Sequence, residues 1–419
     1  MVGSLRVIAI EQMIVRRTLL PLFCVAIQLH GAVQQTPTPK NRASQETVTR
    51  RAQIQKVEES LPKIADRAAA LYFLARRYAQ VGELEKSLSL LKQCIALDAG
   101  FDPSEEPQFQ PLRSNAEFKV LAEQARDRYP PVHHARVAFT ISEPDLFPEG
   151  MVADPDRHAF YMGSVKHKII RITEQGKVSD FVKADIYQFP DLNGIKVDPA
   201  DHGLWVASAD EHNSELLHFD AQGKLLERFP APGSGPHALN DLVLHNSREV
   251  YVTDTLAHQV YRFDSKQHTF VPLEFHRPVL YPNGIALSDD GNLLYVADIL
   301  GVIQIDLKTN QMRDVDPGQH STLAGIDGLY WYEGSLVGVE YGNGPYRVAR
   351  WRLSPDGLKV MSTEVFEYRT PLISWPTTGA IAGGKFYFLA NTAIGNYKDG
   401  KIVDPSKLEP INIAVVALD

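Results

Sequence analysis

Cysteine is nearly missing: Cys24 and Cys94 are the only two in 419 residues. That count excludes a thiol-based mechanism and a zinc–thiolate centre. If the N-terminal stretch is removed on export, it also excludes an internal disulfide. A long hydrophobic run is missing too. The most apolar stretch, "TLLPLFCVAI" from Thr18, is about half of the ~20 residues that a membrane-spanning helix needs. No basic run interleaved with aromatics appears, and the net charge of −8 with a pI near 6.0 excludes a nucleic-acid footprint. What is present is a hydrophobic content of 44%, ample for a buried core.

The chain divides by pattern. Arg16-Arg17, the short apolar stretch and small residues at Gly31-Ala32 match a signal peptide over 1–32. The expectation is an exported chain, periplasmic or secreted, with no stable membrane span after signal removal. Residues 33–45, "VQQTPTPKNRASQ", read as a polar linker. A helical domain is expected over 46–130, because Leu71, Leu74 and Tyr78, then Leu88, Leu91 and Ile95, recur at three- and four-residue steps. Gly82 divides the two helices. Leu74, Ala75, Tyr78, Ser87, Leu91 and Cys94 resemble the tetratricopeptide pattern, with Ala99 where the usual terminal proline stands. One such pair cannot bury both faces, so it must pack on "FKVLAEQARDRY" or on the neighbouring domain. It reads first as a structural cap and second as a site for a protein partner.

From residue 135 to 419 the helical period stops and a repeat begins. Its units open at Glu149, Asn193, Asn240, Asn283, Asp327 and Thr378, at offsets of 44, 47, 43, 44 and 51 residues. Each is a short apolar strand, a turn (Asp154-Pro155, Asp198-Pro199, Asp290-Gly291) and a second strand. A period near 45 built this way predicts an all-β six-bladed β-propeller. "HHARVAFTIS" is placed to supply the strand that closes the ring with the last blade. The first strand of each unit is expected innermost, which sets all six opening residues around one channel mouth.

All six offer oxygen, and none is His, Cys or Lys. Mixed carboxylate and amide oxygens suit a hard divalent cation. Ca2+ and Mg2+ are such cations, with Mn2+ or Zn2+ as other candidates. The competing reading is that Asn-Gly and Asp-Gly are common turn dipeptides. Against it, each unit already has a turn further on, between its two strands. Asp254, Asp298 and Glu340, at the ends of second strands, are expected on the same face, as an acidic rim or as solvated strand ends.

The propeller resembles the gluconolactonase, senescence-marker and luciferin-regenerating family, and also the paraoxonases. The resemblance is carried by "PEGM" at Glu149, "LNDLV" at Asn240, "PNGIALSDDGNLLYVAD" at Asn283 and "IDGL" at Asp327. It implies Glu149, Asn240, Asn283 and Asp327 as metal ligands, and a lactone or ester as the small-molecule substrate. It also implies Asp327, or else Glu149, as general base, while Asn193 orients substrate. His237, in the loop leading to Asn240, is a second candidate for substrate binding. A deeper second metal would use Asp241 and a carbonyl near Ile195. That site lacks one paraoxonase ligand, because Gly150 follows Glu149, and Asn193 stands where paraoxonases carry a histidine. The alternative to a hydrolase is a non-catalytic, metal-stabilised propeller that binds a ligand or partner. A strictosidine-synthase-like activity is disfavoured, since that chemistry uses no metal ring.

Overall fold

The computed structural model describes residues 39–419 except 185, 247, 248, 343 and 399. The expected signal peptide therefore lies outside the described residues. Six antiparallel sheets follow one another along the chain. The inner strands are Pro148–Asp154, Leu192–Val197, Leu239–Asn246, Ile285–Leu287, Ile326–Tyr332 and Gly379–Ala382, and they open blades 1 to 6 in that order. Blade 6 takes Arg136–Ile141 as its outermost strand, with Val137 opposite Ala414 and Ile141 opposite Ile411. The ring thus closes by joining the first strand to the last sheet, as expected. Val132–His133 adds a fifth strand to blade 5.

Short second strands such as "AFYMGS" and "LWVASA" are buried along their whole length, because each blade is covered on both faces by its neighbours. The core is accordingly six inter-blade layers. Trp351, Tyr295 and Leu336 lie between blades 4 and 5. Tyr161, Leu192 and Phe219 lie between blades 1 and 2. Each such fully buried side chain contributes about 1.5–3 kcal/mol.

Among the described residues four α-helices precede the propeller: α1 (Pro39–Ser60), α2 (Arg67–Gln80), α3 (Leu84–Ala96) and α4 (Ala116–Arg128). Helix α1 begins inside the stretch expected to be linker. Between α2 and α3, Gly82 has φ +84°. The Glu83 amide donates to the Tyr78 carbonyl and that of Gly82 to the Ala79 carbonyl, the paired bonds of a glycine-terminated helix. Contacts of Ser87 with Ala75 and of Cys94 with Ala68 show α2 and α3 antiparallel. None of the described helices is long and apolar enough to cross a membrane.

The helices sit on the mouth face, over blades 4 and 5. Ile54, Val57, Phe73 and Leu74 pack on Leu280 and Leu300, and Arg76 donates to the Gly342 carbonyl. Phe118 of α4 joins the α2–α3 core. The pair therefore packs on both surfaces offered to it. Asp66 caps α2 through the Ala69 amide and accepts from the Thr322 hydroxyl and the Leu323 amide, so one carboxylate joins the cap to the propeller.

Burial pushes the Asp66 carboxyl up to about 6. A raised carboxyl binds its proton more tightly folded than unfolded. Its stabilising contribution is complete below about pH 4 and is lost as pH rises through about 6, with a span of about 3 kcal/mol. Asp66→Asn removes that dependence. The unfolding free energy of the natural chain should therefore fall relative to the variant between pH 4 and pH 7. A constant difference across that range would refute the assignment.

Candidate functional site

The opening residues lie in or directly before the inner strands, where register breaks occur between Pro148 and Met151, Leu192 and Ile195, Leu239 and Leu242, and Ile326 and Leu329. The glycines that follow them are not turn glycines. Gly150, Gly194, Gly284, Gly328 and Gly379 all lack positive φ, which the Asn-Gly hairpin turn requires. Close approach explains them instead. A Cβ at Gly150 would stand 1.9 Å from the Asn193 carbonyl, and one at Gly194 would stand 2.5 Å from that of Asn240. A Cβ at Gly284 would stand 2.6 Å from the Asp327 carbonyl, and one at Gly328 would stand 2.9 Å from the Thr378 Cα. The Thr378 hydroxyl completes the circle by donating to the Glu149 carbonyl at 2.6 Å. Successive opening residues are thus packed against one another around the axis.

The three amides have defined orientations. Asn193 Nδ2 donates to the Leu239 carbonyl at 2.9 Å. Asn283 Nδ2 donates to Asp327 Oδ1 at 2.6 Å. Asn240 Nδ2 lies 2.9 Å from the Thr255 hydroxyl, which itself donates to the Pro282 carbonyl at 2.7 Å and so accepts from the amide. Each of the three NH2 groups therefore donates to a protein acceptor. Among the described residues no hydrogen bond reaches the Oδ1 of Asn193, Asn240 or Asn283. Those oxygens and the carboxylates of the half-buried Glu149 and the buried Asp327 are of the ligand type that a hard cation takes.

Asp241 stands where the other five units carry glycine, and its side chain is buried. Its Oδ1 accepts from Lys196 Nζ at 3.0 Å and from the Leu242 amide at 2.8 Å. Lys196 Nζ also lies 5.8 Å from the centre of the Tyr330 ring. The Tyr330 hydroxyl accepts from the Gly379 amide at 2.7 Å. Burial, then the charge of Asp241, push this phenol well up.

His237 Nδ1 lies 2.6 Å from Asp254 Oδ2. Asp254 has 0% exposure and also accepts from the Ala238 and Ala257 amides. Its blade 4 counterpart, Asp298, accepts from the Leu280 and Leu300 amides and pairs with Arg277. In blade 5, Glu340 pairs with Arg347. The expected acidic rim is corrected here: all three acids are buried anchors, each pairing with a cationic or titratable side chain. Sequence position places them on this face but does not identify their partners.

Asp154, Asp156 and His202 form the one group of three acidic or imidazole side chains close enough to share an ion among the described residues. Asp154 ends the strand on which Glu149 lies near the start, about 16 Å away at about 3.3 Å per residue. Its carboxylate meets His202 Nδ1 at 3.1 Å and the Arg157 amide at 3.3 Å, which ties the bases of blades 1 and 2 together.

No family model matches the chain. The uncharacterized protein YncE of Salmonella typhi, and that of Salmonella typhimurium, are each 36% identical to it over 104 residues, 25% of this chain and 27% of theirs. The chain thus spans about a quarter of the length of the curated relatives it matches. Similar solved structures include a gluconolactonase from Xanthomonas campestris, 16% identical, covering 70% of this chain and 98% of that one, TM-score 0.47. Regucalcin, a calcium-binding protein from Agrobacterium tumefaciens, is 16% identical over 68% of this chain and 95% of its own, TM-score 0.47. The PQQ-bound aldose sugar dehydrogenase from Streptomyces coelicolor is 14% identical over 68% and 99%, TM-score 0.48.

Proposed function

We propose that the chain is a divalent-metal-dependent hydrolase of a lactone or ester. The observation that carries this reading is that the NH2 groups of Asn193, Asn240 and Asn283 each donate to a protein acceptor, while among the described residues no hydrogen bond reaches their Oδ1 atoms. Glu149, Asn240, Asn283 and Asp327 would hold the ion, calcium by preference. When bound there, such an ion supplies polarisation of the carbonyl and stabilisation of the oxyanion.

The chain's own groups do the rest. Asp327 accepts the proton of the attacking water and returns it to the departing alkoxide, so that water and ester become acid and alcohol. Asn283 positions that carboxylate through its 2.6 Å bond to Oδ1. Asn193 orients substrate. His237, held through Nδ1 by a buried acid, is the second residue assigned to substrate contact.

A non-catalytic reading has one observation in its favour. Opening residues bond one another across blades, Asn283 to Asp327 and Thr378 to Glu149, so an ion there would also tie the propeller together. The assay that separates the two is hydrolysis of aldonolactones, aryl esters and acyl-homoserine lactones, after chelation and with Ca2+, Mg2+, Mn2+ or Zn2+ restored. Turnover is expected to vanish with chelator and return with calcium. If no substrate shows metal-dependent turnover while calcium at a hundredfold excess over Kd still stabilises the fold by about 2.7 kcal/mol, the binding reading replaces the catalytic one.

A further inference from the structure

Lys196 is the least expected residue in the channel. The positions three residues after each opening residue are Val152, Lys196, Val243, Ala286, Tyr330 and Ile381. Five are uncharged and one carries an ammonium. Blades 2 and 5 face each other across a six-bladed ring, and the ammonium of one indeed lies against the phenol ring of the other, 5.8 Å from its centre. It is mostly buried, with 19% of its side chain exposed, and Asp241 at 4% is more so.

Burying an ammonium is costly unless an anion meets it, and the same holds for the carboxylate. Here each meets the other at 3.0 Å. Room for this pair comes from a missing side chain: a Cβ at Gly194 would lie 2.8 Å from Asp241 Oδ1. The remaining capacity of Asp241 is met by the amides of Leu242 and Ile285.

We propose that the Lys196 ammonium is a fixed internal cation that takes the place of a second divalent ion at Asp241. The chain then binds one metal ion, at the mouth, and Asp241 is not a ligand to it. The expectation of a second metal on Asp241 is thereby replaced by a cation belonging to the chain. The count of one rests on the mouth reading proposed above, whereas the role of Lys196 does not.

Calcium binding to the full chain, measured by equilibrium dialysis with elemental analysis and by terbium luminescence, tests this. The natural chain should bind one ion and Lys196→Met two. The added ion should be lost again in Lys196→Met/Asp241→Asn. Zero ions in the natural chain and one in Lys196→Met, dependent on Asp241, would refute the mouth site while supporting the role of Lys196. Two ions in the natural chain, or equal counts with and without Lys196, would overturn the proposal. If Lys196→Met folds only with calcium present, the ion has replaced the ammonium and the proposal stands. If it fails to fold with and without calcium, the proposal falls.

Discussion

Asp327→Asn is expected to leave the propeller folded and to lower kcat/KM on the best lactone or ester by about 10³-fold, the range for loss of a positioned general base. The substitution is nearly isosteric, and the new side chain keeps an oxygen to accept the Asn283 amide, which now donates to Oδ1 at 2.6 Å. What disappears is the ability to take a proton from water. One of two carboxylates around the proposed ion disappears with it, so metal affinity falls as well. Assay at saturating calcium separates the two losses: the affinity part is recovered and the proton-transfer part persists in kcat. Full recovery of kcat at high calcium would remove Asp327 from the base role and leave Glu149 as the candidate.

That prediction depends on a site whose outline can be read from the chain, because a repeat places equivalent residues equivalently. Six openings at a regular spacing specify six inner strands, and so set the six opening residues around one axis. What surrounds the ring could not be read in the same way. Lys196 sits three residues beyond Asn193, in a position that looks like any other strand residue until blade 5 is set opposite. The same holds for the acids ending the second strands. Their location follows from the repeat, but whether Asp254 meets solvent or His237 is decided by incoming loops whose lengths and sequences differ from blade to blade.

The helices show a third kind of limit. Their period announces two helices and an unburied face, yet the contacts that dock them join Asp66 to Thr322 and Arg76 to Gly342. Those pairs are far apart in sequence and leave no periodic trace. The cap lies over blades 4 and 5 because the loops there present Leu280 and Leu300 to its apolar face. This apolar surface of the pair is thereby used within the chain.

The loop beneath that cap is where a single substitution is expected to cost most stability. Arg277 is fully buried in its side chain and bonds Asp298 at 2.7 Å and Asp314 at 2.8 Å. Asp314 in turn accepts from the Ala65 amide at the foot of α2, at 3.1 Å. Arg277→Met keeps most of the volume and removes the charge that both carboxylates face. Breaking a buried pair in this way costs about 3–5 kcal/mol, because the Asp298 charge stays without a cation, whereas Asp314 keeps His276 at 3.1 Å. Adding Asp298→Asn to Arg277→Met should recover much of that loss, since the cost lies in the orphaned charge rather than in lost packing. The damage should be local before it is global: Leu280 and Leu300, whose amides bond Asp298, also carry the cap. Denaturant unfolding gives the total, and hydrogen exchange over 67–80 reports whether α2 is released first. A loss below about 1 kcal/mol in Arg277→Met, the value typical of an exposed ion pair, would show that the pair is solvated and that the cap is held by its apolar contacts alone.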